Sequence, residues 1–296
     1  MAYTNTNQSM KNSFGFGMAN PVLRKMAKNG EYSASNTATY GGIVSKTVYF
    51  MIVTIIGVFL AFILHNVFLN STAPESLVHV EDTKNAIYDL TFSPAEGAVM
   101  AVVLLVSLIL PFLAFFIRAT IPVTGTIYCA AQGMLVGYIT IALAPQYRFI
   151  SILAAIITIA LVGAMLFVYA KRIIQVTARF RGIITSVFIG VVLSGIIYFI
   201  LTLIPAVRNS RYFGEIHAVM NQPVISIGFS VIFLIIACLF MLADFDTIQQ
   251  CVEQQLDKKY EWMAAWGLAY TVLYIYFKVL RILLMLLGNS KSSSKS

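Results

Sequence analysis

Residues 223–247 read PVISIGFSVIFLIIACLFMLADFDT, an apolar run unbroken by charge from Pro223 to Ala243 that ends in two carboxylates, Asp244 and Asp246. Wound as a helix at about 1.5 Å per residue, the run is long enough to cross roughly 30 Å of hydrocarbon. On either side of it, charge-free windows of similar length occupy Thr47 to Leu69, Gly97 to Ile117, Val123 to Ala144, Phe149 to Ala170 and Gly182 to Ile204. A last window, Met263 to Leu287, is interrupted only by Lys278 and Arg281, which either snorkel from a helix end, the ordinary expectation, or point inward. The pattern predicts seven transmembrane helices. Composition agrees: 59% hydrophobic residues, 11% charged residues and a mean hydropathy of +0.84 describe an all-α integral membrane protein and exclude a soluble domain.

Three regions follow from this reading. Residues 1–40, rich in Asn, Ser, Thr, Gly and Lys, are expected to be a mobile tail in which only Pro21 to Met26 forms a short surface helix. Residues 41–288 form the transmembrane domain, and the Ser- and Lys-rich residues 289–296 are expected to be disordered. The tail has no apolar core of the length a cleavable signal peptide needs, so the first span is expected to act as the targeting signal.

Orientation follows from the basic residues. A cytoplasmic amino terminus gathers Lys46, Arg118, Lys171, Arg172, Arg179, Arg181, Lys258 and Lys259 on the same side as the basic tail, which the positive-inside bias favours. Asp244 and Asp246 then lie at the cytoplasmic end of the sixth span, and the acidic loop with Glu75, Glu81, Asp82, Asp89 and Glu96 faces outward. The net charge of +8 is spread over span ends and tail, where it suits anionic lipid head groups; membrane lipid is the expected partner and nucleic acid is not.

Templates for enzyme chemistry fail, and no cofactor is expected. There is no Gly-rich phosphate loop, no HExxH and no GxSxG elbow. His65, His79 and His217 stand apart in sequence, and Cys129, Cys238 and Cys251 lack the paired spacing of a zinc or redox site, so no stable metal site and three free thiols are expected. Gly133 and Gly137 make a GxxxG in the third span, and Gly190 with Ser194 places small residues four apart in the fifth; both suit close helix packing within the chain. Pro111 removes a hydrogen bond inside the second span.

An ionisable side chain at the edge of the hydrocarbon must face water, the bundle interior or a partner, which makes the carboxylate pair the candidate site. Two residues apart on a helix, Asp244 and Asp246 point about 200° away from each other, so they cannot form an aspartyl dyad by themselves and only one faces the bundle. Arg118, at the end of the second span, and Glu261, entering the seventh at the same depth, are the candidate partners.

The sequence also resembles a family. Phe245-Asp246-Thr247, the linker with Glu253, Tyr260-Glu261-Trp262 and the closing Val279-Leu280-Arg281-Ile282-Leu283 are similar to the transmembrane Bax inhibitor motif family, in particular its bacterial YccA-like branch. Asn20 to Arg24, Thr39 to Thr47, Pro122 to Tyr128 with Gln132 and Gly133, and Val176 to Arg181 agree in order and spacing. The resemblance implies seven helices, six around a central hydrophobic one, in the bacterial inner membrane. It implies a pH-sensitive calcium leak governed by a pair of aspartates near the cytoplasmic side, with transient calcium near Asp246. The first aspartate of that pair carries over to Asp246, as the inward member. The second falls at Tyr270 or Thr271, so Asp244 or Glu261 would have to replace it. The same resemblance implies an alternative, a regulatory protein that binds an FtsH-type membrane protease through its tail. A proton-coupled small-molecule transporter is a third reading.

Overall fold

The computed structural model describes residues 37–81, 87–174, 176–208, 210–220 and 222–293. The expected tail therefore lies outside the described residues up to position 36, as does the short helix expected over Pro21 to Met26. The described chain is helical apart from one small hairpin. Its long helices are α1 (Tyr40–Ser71), α2 (Pro94–Phe116), α3 (Ile121–Ala142), α4 (Phe149–Ala170), α5 (Ala178–Leu203), α6 (Pro223–Glu253) and α7 (Lys259–Ser293). Strands β1 (Val78–Glu81) and β2 (Asp89–Phe92) pair antiparallel between α1 and α2, with Val78 opposite Phe92. Among the described residues six helical segments are long and apolar enough to cross a membrane: Tyr40–Ser71, Pro94–Pro111, Ile121–Ala142, Pro145–Ala170, Val224–Glu253 and Lys259–Gly288. The protein is a multi-pass membrane protein.

Local chemistry sets the helix starts. Thr39, Ser93 and Thr177 each accept a hydrogen bond from a backbone N–H three residues on, which satisfies one of the free donors that open α1, α2 and α5. Proline stands in the first turn of α2, α3 and α6, where its missing N–H costs nothing. Two ends are also alike. Arg172 after α4 and Gln255 after α6 adopt positive φ, 53° each, and the amides that follow turn back onto Val168 and Cys251. Both are Schellman endings with a polar residue in the place that usually holds glycine.

Two boundaries differ from the sequence reading. Helix α1 begins at Tyr40, and the three residues before it are held in place: Thr37 bridges to Asp257, and the Ala38 amide donates to Leu256 O at 2.7 Å. At the other end α7 stays helical to Ser293, through residues expected to be disordered.

Helix α3 is the most enclosed of the six candidate spans, with half of its apolar window buried against 11–33% for the others. It meets α1 backbone to backbone. A Cβ on Gly133 would run into the Thr54 carbonyl, one on Gly57 into the Ala130 carbonyl, and one on Gly137 would come within 2.6 Å of Ala61 Cβ. The GxxxG of the third span is thus used inside the chain. Two turns earlier Gly125 lies between α1 and α7, where a Cβ would come within 2.7 Å of the Trp266 ring and 3.1 Å of the Phe50 ring. The small-residue pair of α5 behaves otherwise: Gly190 faces open space, and Ser194 Oγ donates to its carbonyl at 2.8 Å within the same helix. Lys278 lies 4.8 Å from the Phe233 ring and 5.0 Å from the Tyr274 ring, a cation held by aromatic faces.

Candidate functional site

The last turns of α6 carry both aspartates, and the helical angle between them sends them to different neighbours. Asp244 turns toward α7, where Thr271 Oγ1 donates to its Oδ2 at 2.5 Å. Thr271 is buried and donates also to Gly267 O at 3.2 Å. Asp246 turns toward the first turn of α5, where Arg181 Nη2 lies 2.8 Å from its Oδ2, and Gln250 Nε2 donates to the same oxygen at 2.7 Å. The inward member of the pair is therefore Asp244, a correction to the expectation that Asp246 holds that position. Asp244 also meets one of the two α7 positions at which the resemblance puts the second aspartate.

Asp246 borders a cavity of about 520 Å³ whose polar wall includes Tyr40, Tyr169, Arg172 and Gln249. Tyr169 donates its hydroxyl hydrogen to Gln249, and Gln249 Nε2 donates to Glu253 at 2.6 Å. The cavity thus sits where α1 begins and α4 and α6 end, beside the left-handed Arg172. Asp246, Gln249 and Tyr169 line one space together with the cationic Arg172.

Glu261 is placed differently. It is fully buried, and its Oε1 accepts from the Thr39 amide at 2.9 Å and from Thr39 Oγ1 at 3.1 Å, while Oε2 pairs with Lys46. Lys46 also lies 5.3 Å from the Trp262 ring. A Cβ on Gly42 would overlap the same carboxylate, so the glycine at 42 lets Glu261 lie against the first turn of α1. Glu261 is bound to α1 and is not a partner of Asp246. Arg118 begins a short turn between α2 and α3, Arg118–Thr120, and its side chain lies outside the described residues; the arginine on Asp246 is Arg181.

Several of these residues escape a reading of the sequence. Lys46 and Arg181 enter it only as orientation charges, and Glu96 only as part of an acidic loop. The histidines expected to stand alone do not: His65 Nδ1 is 2.8 Å from Glu96 Oε1, and His79 Nδ1 is 2.9 Å from Thr91 Oγ1. The side chain of His217 lies outside the described residues. Among the described residues no group of three or more His, Cys, Asp or Glu could hold a metal ion, and Cys129, Cys238 and Cys251 are free and buried.

A family model described as Bax inhibitor 1 like matches residues 20–288 of the chain. No curated protein matches it.

Proposed function

The chain belongs to the Bax inhibitor 1 like family, and on that premise we propose that it is a pH-sensitive cation leak, with calcium as the ion and Asp246 as the sensing carboxylate. In this reading α5, 26 residues long, is the seventh span, the helices surround a central hydrophobic one, and the protein is a YccA-like member in a bacterial inner membrane with its amino terminus in the cytoplasm. Its role is not enzymatic.

The observation that carries the proposal is the position of Asp246 between a cationic partner on another helix and a polar cavity. Ionised, Asp246 ties the end of α6 to the start of α5 through Arg181. A proton on Asp246 removes the charge and frees Arg181, and the two helix ends lose that tie; a switch needs such a two-state contact. Helix α5 is well suited to move, since Gly182, Gly190 and Gly195 all face open space. Asp244, two residues before it on α6 and hydrogen-bonded to Thr271, supplies the second carboxylate that an ion would meet.

Purified protein in liposomes loaded with a calcium indicator tests the idea. Flux should rise as pH falls in the native protein, and Asp246→Asn should abolish that dependence. An Asp246→Asn protein with native flux and a native pH profile would sink the proposal.

A second reading, a regulatory partner for an FtsH-type membrane protease, is favoured by how residues 37–39 leave the fold. They are fastened to the α6–α7 turn and to Glu261, so a partner that holds the preceding tail would pull on the candidate site. Removing residues 1–20 should then abolish protease binding and leave flux intact.

A further inference from the structure

The apolar run of α4 covers Pro145–Ala170, and Ala170 itself lines the cavity beside Asp246. That cavity therefore stands where the hydrocarbon gives way to lipid head groups. One turn back along α4, Leu166 and Phe167 are 50% and 57% exposed, and Ile173, just past the helix end, is 63% exposed. Lys171 lies 6.0 Å from the Phe167 ring, with its charge at the helix end and its stem along an apolar surface. The helix end that borders the cavity is apolar below and cationic above. An acyl chain beneath its head group has the matching profile.

Inside, the cavity carries both signs of charge. Arg172 lines it, is exposed, and pairs with no carboxylate among the described residues. It holds a φ of 53°, a conformation that favours glycine, so the chain keeps a guanidinium here at a backbone cost. Asp246 lines the same space. Arg181 and Gln250 both meet its Oδ2, and among the described residues nothing hydrogen-bonds its Oδ1. Tyr169 and Gln249 are engaged with each other and with Glu253, which leaves Arg172 and Asp246 Oδ1 as the charged groups open to a guest. An anion alone would face the Asp246 carboxylate, and a cation alone would face Arg172. A guest that carries both signs suits both. The volume, about 520 Å³, falls within the range of about 300–1,000 Å³ usual for small-ligand sites. We propose that the cavity binds the head group of phosphatidylethanolamine, with the phosphate on Arg172, the primary ammonium on Asp246 Oδ1 and the acyl chains against Leu166, Phe167 and Ile173. Both polar contacts are charge-assisted. The quaternary ammonium of phosphatidylcholine has no hydrogen to donate, and phosphatidylglycerol has no cation. Basic span ends attract any anionic lipid surface, whereas this site selects a zwitterion. It goes beyond the proposed leak and does not rest on it.

Delipidated full-length protein in detergent, offered phosphatidylethanolamine, phosphatidylcholine and phosphatidylglycerol with identical chains, tests the site by native mass spectrometry. Phosphatidylethanolamine should be retained about tenfold over each of the others, the ratio that one charge-assisted hydrogen bond supports. Arg172→Gln should weaken retention of all three. Gln255 holds the same φ of 53°, so glutamine fits that backbone. Asp246→Asn should keep the phosphate contact and bring the three lipids to equal retention. Glycerophosphoethanolamine, the head group without chains, should not displace the lipid at the same concentration. Equal retention of the three lipids by the native protein, a preference for phosphatidylglycerol, native binding by the Arg172→Gln protein, a preference that survives Asp246→Asn, or displacement by glycerophosphoethanolamine overturns the proposal. No readout passes through ion flux, so the leak can fail while the site stands, and the reverse. If the Asp246→Asn protein does not fold, the lipid comparison on the native and Arg172→Gln proteins decides the matter.

Discussion

Glu261 and Asp246 stand at the same end of the bundle and each pairs with a cation on another helix, yet they are bound in different ways. Glu261 has no exposed surface and accepts from Thr39 twice and from Lys46 once, and Gly42 packs against it. Asp246 keeps 15% of its side chain exposed, and both of its partners, Arg181 and Gln250, act on a single oxygen beside a cavity. A carboxylate surrounded by fixed donors holds a structure together. One whose partners meet a single oxygen beside a cavity can change state. The same residue chemistry therefore serves as a clamp in one place and suits a switch in the other.

The comparison can be broken most forcefully at the clamp. Glu261→Gln leaves Lys46 as a cation without its partner in a mostly buried site, and should lower stability by about 3–5 kcal/mol, as thermal or denaturant unfolding in detergent would measure. A loss below about 1 kcal/mol would mean that Glu261 is no more a clamp than Asp246 is. Next in size is Gly42→Ala. The added methyl group meets a carboxylate that cannot swing away while three donors hold it, and the expected cost is about 1–3 kcal/mol. The smallest effect is expected at the switch: Arg181→Gln should cost about 1 kcal/mol or less, because Asp246 keeps Gln250 and a route to water. It should nevertheless change the pH profile of flux, whereas a Lys46 variant that still folds should not.

Much of the fold is legible in the sequence, and the misses have a common cause. The bounds of α4 coincide with its apolar run because Arg148 and Lys171 bracket it. Helix α1 starts earlier than its run and α6 ends later, because Lys46, Asp244 and Asp246 look like span ends when their partners are unseen. Each of these charges is satisfied from a distant part of the chain, Lys46 by a residue 215 positions away. Periodicity reports which residues share a helix face but not which helix lies opposite. That is why Arg118 and Arg181 are equivalent on paper, and why Gly133 and Gly190 look alike although one is pressed against a backbone and the other faces open space. The angle between Asp244 and Asp246 is legible; which of them faces inward depends on α7, and α7 meets Asp244.

Because Gly57 and Gly133 bring two backbones into contact with no side chain between them, α1 and α3 behave as one beam. A hydrated ion needs a gap wider than a water molecule, and a seam closed by main-chain atoms has no rotamer to turn aside. Any conduit through this bundle must run along another flank of α3. On the proposed leak reading the beam is the fixed wall, and Asp244, Asp246 and Arg181 stand on helices outside it.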